Sequence, residues 1–255
     1  MTGIHPTAIV YPGAQIGEGV EIGPFAIVGS DCTVGDGCVI AARAVLEKNV
    51  HLGARVRIGT GSVIGGDPQD LKFGGEETSV EIGDDTVVRE YTTINRGTKE
   101  SLRTSVGRGC FVMSYVHLAH DCHVGNNVIL ANMVQLAGHV TVDDNAIVSA
   151  MTGVHQFVRI GTHAFVGGFS KVVKDVPPFV RTDGNPAALY GLNSIGLKRN
   201  GFTEEVRNEL KRTYSLFFRS DLNISQARQR ANTELQQIPE VLTFLRFLDE
   251  TQRGV

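Results

Sequence analysis

The chain has 255 residues, enough for one large domain or a domain with a smaller appendage, and its formal charge of −3 provides no global basic field for nucleic acid. The opening "MTGIHPTAIV" lacks the basic segment and apolar core of a secretory signal. No apolar run approaches the ~18 residues of a membrane-crossing helix, so a cytoplasmic protein with no transmembrane segment is expected. The four cysteines form no close C-x-x-C pair and fit reduced thiols in that compartment. Thirty glycines, no tryptophan and frequent valine and isoleucine point to an internal repeat.

From Ile4 an aliphatic residue recurs every six positions, through Val10, Ile16, Ile22 and Val28 to Ile64. It returns at Ile82, Val88 and Ile94, resumes at Val106 and keeps the same phase to Val172. Four residues after most of these lies a small or β-branched residue, such as Ala8, Ala26, Cys38 or Ala164. The small residue and the next aliphatic are two apart, so on a strand both point inward. The period predicts a parallel β-helix of hexapeptides, three to a triangular coil of 18 residues, with coils stacked about 4.8 Å apart. Glycine often follows the aliphatic directly, as in "IGEGVE" and "VGDGCV", where it suits a turn backbone that other residues tolerate poorly. All four cysteines, Cys32, Cys38, Cys110 and Cys122, fall on the small inward position and read as core fillers.

The frame is lost and regained twice, at 66–81 ("GDPQDLKFGGEETSVE") and 95–105 ("NRGTKESLRTS"), which predicts two loops thrown out from the prism, where function often sits. After Val172 the prolines and glycine of "KDVPPFVRTDGNPAALYG" mark a linker. The apolar period then becomes helical. Val206, Leu210, Tyr214 and Phe217 follow Thr203 as N-cap, and Val241, Leu242, Leu245 and Leu248 follow Pro239. The expected organisation is a β-helix over 1–182 and a helical domain of two or three helices over 183–255.

"VHLAHDCHVG" (116–125) packs three histidines into seven residues, and the repeat frame says where each points. Counting Ile4 as zero within an 18-residue coil, His120 falls at 8, His139 at 9 and His155 at 7, in three consecutive coils at one corner. His117 falls at 5, just before that corner, whereas His123 at 11 and His163 at 15 belong elsewhere. Gly138 falls at 8, one coil above His120. Solvated corner histidines, a zinc site built like that of β-helix carbonic anhydrases, and a catalytic histidine with polar attendants are the competing readings. In the last, a neutral imidazole takes a proton from an attacking hydroxyl, and an amide such as that of Gly138 stabilises the tetrahedral oxyanion.

The segment 117–161 ("HLAHDCHVGNNVILANMVQLAGHVTVDDNAIVSAMTGVHQFVRIG"), with "GGDPQDLKFGGE", "VPPFV" and "GLNSIGLKRNGF", resembles the UDP-N-acetylglucosamine O-acyltransferases, which open lipid A biosynthesis. The likeness spans nearly the whole chain. It implies a left-handed β-helix, although parallel crossovers are ordinarily right-handed. It implies transfer of a 3-hydroxyacyl chain from acyl carrier protein to the glucosamine 3-hydroxyl of UDP-N-acetylglucosamine by a homotrimer, with no cofactor and no metal. His120 matches the general base, Asp121 the acid that orients it, and Gly138 the oxyanion amide. Asp70, Lys72, His117, His139, His155 and Gln156 match the substrate cleft, Asn193 and Arg199 nucleotide contacts, and Gly168 the position that limits acyl length. With no side chain, Gly168 favours a long chain unless Phe169 closes the groove. Sites between subunits would let some of these residues serve a neighbour's His120.

Each transfer has a plainer counterpart. Asp70 and Lys72 can be an exposed loop pair of little energetic weight. Asp121 adjoins His120, and neighbours on a strand point apart, so a turn must bring its carboxylate round. Arg199 can serve as a helix-end charge or as a phosphate contact. Lys171, Lys174, Arg181, Lys198 and Arg199 form either a solvated basic patch or a dock for acidic acyl carrier protein. Asn95 stands where many members have histidine, which leaves a 3-amino acceptor open. Asn200 stands where a second arginine is common. A related N-acyltransferase, a coenzyme A-dependent acetyltransferase and a non-enzymatic scaffold are the remaining alternatives.

Overall fold

The computed structural model describes residues 3–255. The hexads become two-residue strands such as Glu21–Ile22, Ile27–Val28 and Thr33–Val34, each ended by a turn that passes the chain to the next face. Strands align in three sheets of 11, 9 and 8 members, parallel but for the last strand of the first, and these form the faces of a left-handed prism. In an uninterrupted coil, residues 18 apart pair, as Ile22 with Ile40 and Leu130 with Val148. The first face carries Ile22, Ile40 and Leu130, the second Val28, Leu118 and Leu136, and the third Val34, Val124 and Val142. Their side chains fill the interior with the small residues two positions earlier; Cys38 and Ile40 are both fully buried. Burial pushes all four cysteine thiols up, that of Cys122 to about 12.

The glycine after the aliphatic has a different cause from the one its position suggests. Gly23 and Gly83 are not left-handed; the left-handed φ falls two residues later, at Phe25 (58°) and Asp85 (59°). Glycine is needed because the next coil passes too close. A Cβ on Gly23 would stand 2.8 Å from the Ala42 nitrogen, and one on Gly83 2.7 Å from that of Arg108.

Both inserted loops leave from the edge between the second and third faces. Ile58 pairs with Val88, 30 residues on, and Val88 with Val112, 24 on, so the loops add twelve and six residues to the 18 of a coil. Together they make one coil's length, which returns the count to phase beyond Val106. Pairing resumes at Ser79 and Arg103, inside the stretches marked by the lost frame, because only the later in-phase aliphatics Ile82 and Val106 report it.

Beyond the last coil, Val180–Gly184 extends the first face by pairing with Phe165–Val166, then turns back in an antiparallel hairpin with Ala187–Leu192. Residue 183 thus lies within a strand of this sheet. Four helices follow: α1 (Ser194–Arg199), α2 (Glu204–Phe218), α3 (Ile224–Glu234) and α4 (Pro239–Glu250). Thr203 caps α2 as its position suggests. Two or three helices were expected; α1 and α3, which no apolar stripe marked, escape a periodicity search, since α1 has six residues including a glycine and α3 buries only Ala227 and Ala231. Arg159 fastens α4 to the third face, ion-paired to Glu250 at 2.9 Å and lying 4.7 Å over the Phe247 ring. Among the described residues no helix is long and apolar enough to cross a membrane.

Candidate active site

The second-third edge collects the histidines. At this corner the left-handed turn position falls on Asp121 (φ 59°), His139 (63°) and Phe157 (64°), spaced 18 apart. That conformation brings the Asp121 carboxylate round beside its own neighbour, as a strand could not: Asp121 Oδ2 lies 2.8 Å from His120 Nδ1. The His120 ring packs against Gly138, where a Cβ would meet Cε1 at 2.6 Å and Nε2 at 2.8 Å. Among the described residues no acceptor is found for the Gly138 N–H. His139 stands edge-on to His120, ring centres 5.1 Å apart, and stacks on Phe157 at 4.4 Å.

Asp121 is 1 % exposed. Burial works against its charge, but hydrogen bonds from Ser101, His120 and Thr98 outweigh that and hold the carboxyl at about 2. An ionised carboxylate only accepts. His120 Nδ1 must therefore carry the proton in that bond, which leaves the Nε2 lone pair free in the neutral ring. His117 donates to or accepts from Thr93 Oγ1 at 2.7 Å. Burial, then the proximity of His120, pushes its pKa down, so His117 favours the neutral form.

A cavity of about 530 Å³ opens over the second face, lined by His117, His120, Gln135, Gly138, His155, Gln156 and Lys171 among others. A second of about 350 Å³ lies round the edge, between the first loop (Asp70, Lys72, Phe73) and Thr98, His139 and Phe157. The two sets share one corner, with the His120–His139 pair between them. Asp70 and Lys72 are not ion-paired; Asp70 Oδ1 accepts from the Lys72 backbone at 3.0 Å in a local turn. His123 lines a different cleft, on the third face.

Other residues are not brought to this corner within one chain. Asn193 caps α1 and donates to the His163 carbonyl at 3.0 Å, on the edge between the third and first faces. Arg199 is in the last turn of that helix, and Asn200 closes it by donating to the Gly196 carbonyl at 2.9 Å. Gly168 and Phe169 occupy the turn entering the second face, with Phe169 74 % exposed. Asn95 is buried, and its amide donates to the Asp67 carbonyl at 2.7 Å, so it supports the first loop from beneath rather than facing the cavities. Of the basic run, Lys171 faces the larger cavity, Lys174 donates to the Val255 carbonyl and Arg181 pairs with Asp183.

His120, Asp121 and His139 are close enough to suggest metal ligands. The donor set fits poorly, because Asp121 Oδ1 already accepts from Thr98 and Ser101 and Oδ2 from Thr98 and His120. Sequence reasoning missed Thr98, Ser101, Thr93, Gln69 and Gln135. Phe157 was findable, sharing its coil position with Asp121 and His139. Thr98 and Ser101 lie where the frame is lost, and no periodic cue exists there.

A hexapeptide prism with a histidine-carboxylate pair over a glycine amide defines a transferase of the hexapeptide class, and the family models agree. Bacterial transferase hexapeptide repeats match residues 13–48, 31–66 and 103–138, and the second domain of UDP-N-acetylglucosamine O-acyltransferase matches 175–255. An acyl-[acyl-carrier-protein]--UDP-N-acetylglucosamine O-acyltransferase of Burkholderia lata is 46 % identical over 260 aligned residues, covering 100 % of this chain and 99 % of its own. UDP-N-acetylglucosamine acyltransferases of Bacteroides fragilis (39 % identity, TM-score 0.96, 98 % of both chains) and Acinetobacter baumannii (37 %, 0.96, 99 % and 98 %) share the whole fold. The chain belongs to the acyl-[acyl-carrier-protein]--UDP-N-acetylglucosamine O-acyltransferase family.

Proposed function

We propose that the protein transfers a 3-hydroxyacyl chain from acyl carrier protein to the glucosamine 3-hydroxyl of UDP-N-acetylglucosamine, with His120 as general base. The observation that carries this is the His120–Asp121 pair lying over Gly138 at the wall of the larger cavity. His120 Nε2 takes the hydroxyl proton as that oxygen bonds to the thioester carbon. The carbonyl π pair moves to oxygen, and the Gly138 N–H stabilises the oxyanion. Collapse re-forms the carbonyl and breaks the carbon–sulfur bond; the departing thiolate takes the proton back from the imidazolium. Asp121 holds the ring and offsets its charge. No metal or organic cofactor enters any step. Asp70, Lys72, His117, His139, His155 and Gln156 bind the sugar nucleotide and the acyl donor, and Gly168 leaves room for a long chain.

Purified protein given 3-hydroxyacyl carrier proteins of graded length and UDP-N-acetylglucosamine should yield the 3-O-acyl sugar nucleotide. No product from any donor would sink this reading; product only with a 3-amino acceptor would move it to the amide-forming variant.

The active species is proposed to be a homotrimer. One chain leaves Asn193 and Arg199 by the third-first edge and His120 on the second-third edge. Packing one prism's third-first edge against the next one's second-third edge supplies the nucleotide contacts to a neighbour's base, and three copies close such a ring. Sedimentation should give three times the chain mass; a monomer with full activity would refute it.

A further inference from the structure

The carboxylate that orients His120 is itself held from outside the repeat. Thr98 donates its backbone N–H to Asp121 Oδ1 at 2.9 Å and its hydroxyl to Oδ2 at 2.7 Å. Ser101 donates its N–H to Oδ1 at 3.3 Å and its hydroxyl to the same oxygen. The Thr98 hydroxyl oxygen accepts from the Glu100 N–H at 3.3 Å, so its proton is free for the carboxylate. The Ser101 hydroxyl also faces the Arg103 carbonyl at 2.8 Å; the charged acceptor is the stronger of the two. All four donors come from the six-residue insertion after Asn95.

That insertion is anchored in turn. The Arg96 side chain is buried and donates Nε to the Gly65 carbonyl at 3.1 Å. It pairs with Asp67 and lies 5.6 Å over the Phe73 ring, while its backbone N–H reaches the Gly66 carbonyl at 2.9 Å. The loop that carries Thr98 and Ser101 is thereby tied to the loop that carries Asp70 and Lys72. Thr98 also lines the smaller cavity beside those two residues.

We propose that Thr98 and Ser101 are positioning residues for the acyl transfer: their loop fixes the Asp121 carboxylate so that only Oδ2 meets His120 Nδ1, which holds the base in its Nε2-accepting tautomer. The proposal rests on the reading of His120 as the base. A carboxylate free to swing away from Nδ1 would lose that bond, let the ring tilt off Gly138 and let both imidazole tautomers form. The insertion that breaks the hexad is on this account the source of the base's alignment, and Arg96 makes that alignment depend on the acceptor-side loop.

The test compares Ser101→Ala, Thr98→Val and the double variant with wild type, and uses Thr98→Ser as the conservative rescue. Initial rates give kcat and KM, and imidazole ¹⁵N shifts of histidine-labelled protein, assigned with His120→Ala, give the His120 tautomer. The expected result is a fall in kcat of about tenfold for each single variant with the KM for UDP-N-acetylglucosamine changed less than threefold. A mixed tautomer should appear at His120, and Thr98→Ser should restore both readouts. Unchanged kcat and an unchanged tautomer in the double variant would overturn the proposal, as would equal loss in Thr98→Val and Thr98→Ser. The tautomer is read without turnover. An inactive wild type whose tautomer still depends on the loop would refute the transfer reading and leave the clamp standing. If Thr98→Val fails to fold, Ser101→Ala, which deletes one hydroxyl from a partly exposed loop, decides alone.

Discussion

His120→Ala is expected to lower kcat by 10²-fold or more while leaving the KM for the sugar nucleotide within a few-fold. Nε2 belongs to a ring held between Asp121 and Gly138 at the wall of the larger cavity. Removing it takes away the proton acceptor at the moment the hydroxyl becomes a nucleophile, a transition-state loss that appears in kcat more than in binding. The fold should survive, because Asp121 keeps its donors from Thr98 and Ser101 and the deleted side chain is on an edge, outside the prism core. His120→Gln separates shape from basicity: its amide can still donate to Asp121, yet it supplies no base, and it should lose as much. The measurement is kcat at saturating donor and acceptor, with a thermal melt for each variant. A loss under threefold would pass the role to another group, and His117, on the same cavity and biased toward its neutral form, would be examined next.

Gly138→Ala is expected to be nearly as damaging. The new methyl would lie 2.6 Å from His120 Cε1 and 2.8 Å from Nε2. The Gly138 backbone is outside the left-handed region, so alanine adds little strain of its own. The imidazole has to yield, and swinging it away lengthens the 2.8 Å bond to Asp121 and removes Nε2 from the Gly138 N–H. Base and oxyanion donor are lost to each other at once, which sets the expected fall at about 10²-fold. Stability should change by less than about 1 kcal/mol, because the affected ring is at an edge and no core contact is broken. Rates and melts on the same preparation check both halves. Activity within threefold of wild type would mean that the ring does not rest on Gly138 during turnover.

Much of this architecture was legible beforehand because a β-helix turns sequence spacing directly into position. Ile22, Ile40, Leu130 and Val148 line up from their numbers alone, and the same count placed His120, Gly138, His139 and His155 on one edge and sent His123 to the next face. The count also misled in one respect. Gly23 and its equivalents look like turn glycines, but their cause is the backbone of the next coil, a contact between residues 18 or more apart that no local rule reveals.

The insertions mark the limit of this approach. Once the frame lapses at Gly66 and Asn95, nothing periodic says where Thr98, Ser101, Arg96 or Asp67 will go, and these residues hold the Asp121 carboxylate and join the two loops. Asn95 shows the same limit: as a letter out of place in "INRG" it suggested an acceptor contact, and its partner proves to be the Asp67 carbonyl. The helical region was read only where the apolar stripe is wide, in α2 and α4, and not where alanines do the packing in α3.

The sequence by itself thus determined the prism, its stacked histidines and the glycine beside His120, because a strict six-residue period leaves a side chain one place to be. Only the tertiary structure decided the bond between His120 and Asp121, the orientation of that carboxylate and the placing of Asn193 and Arg199 on a different edge from His120. Those depend on a left-handed turn at Asp121, on donors from a loop outside the repeat, and on which edge of the prism receives α1.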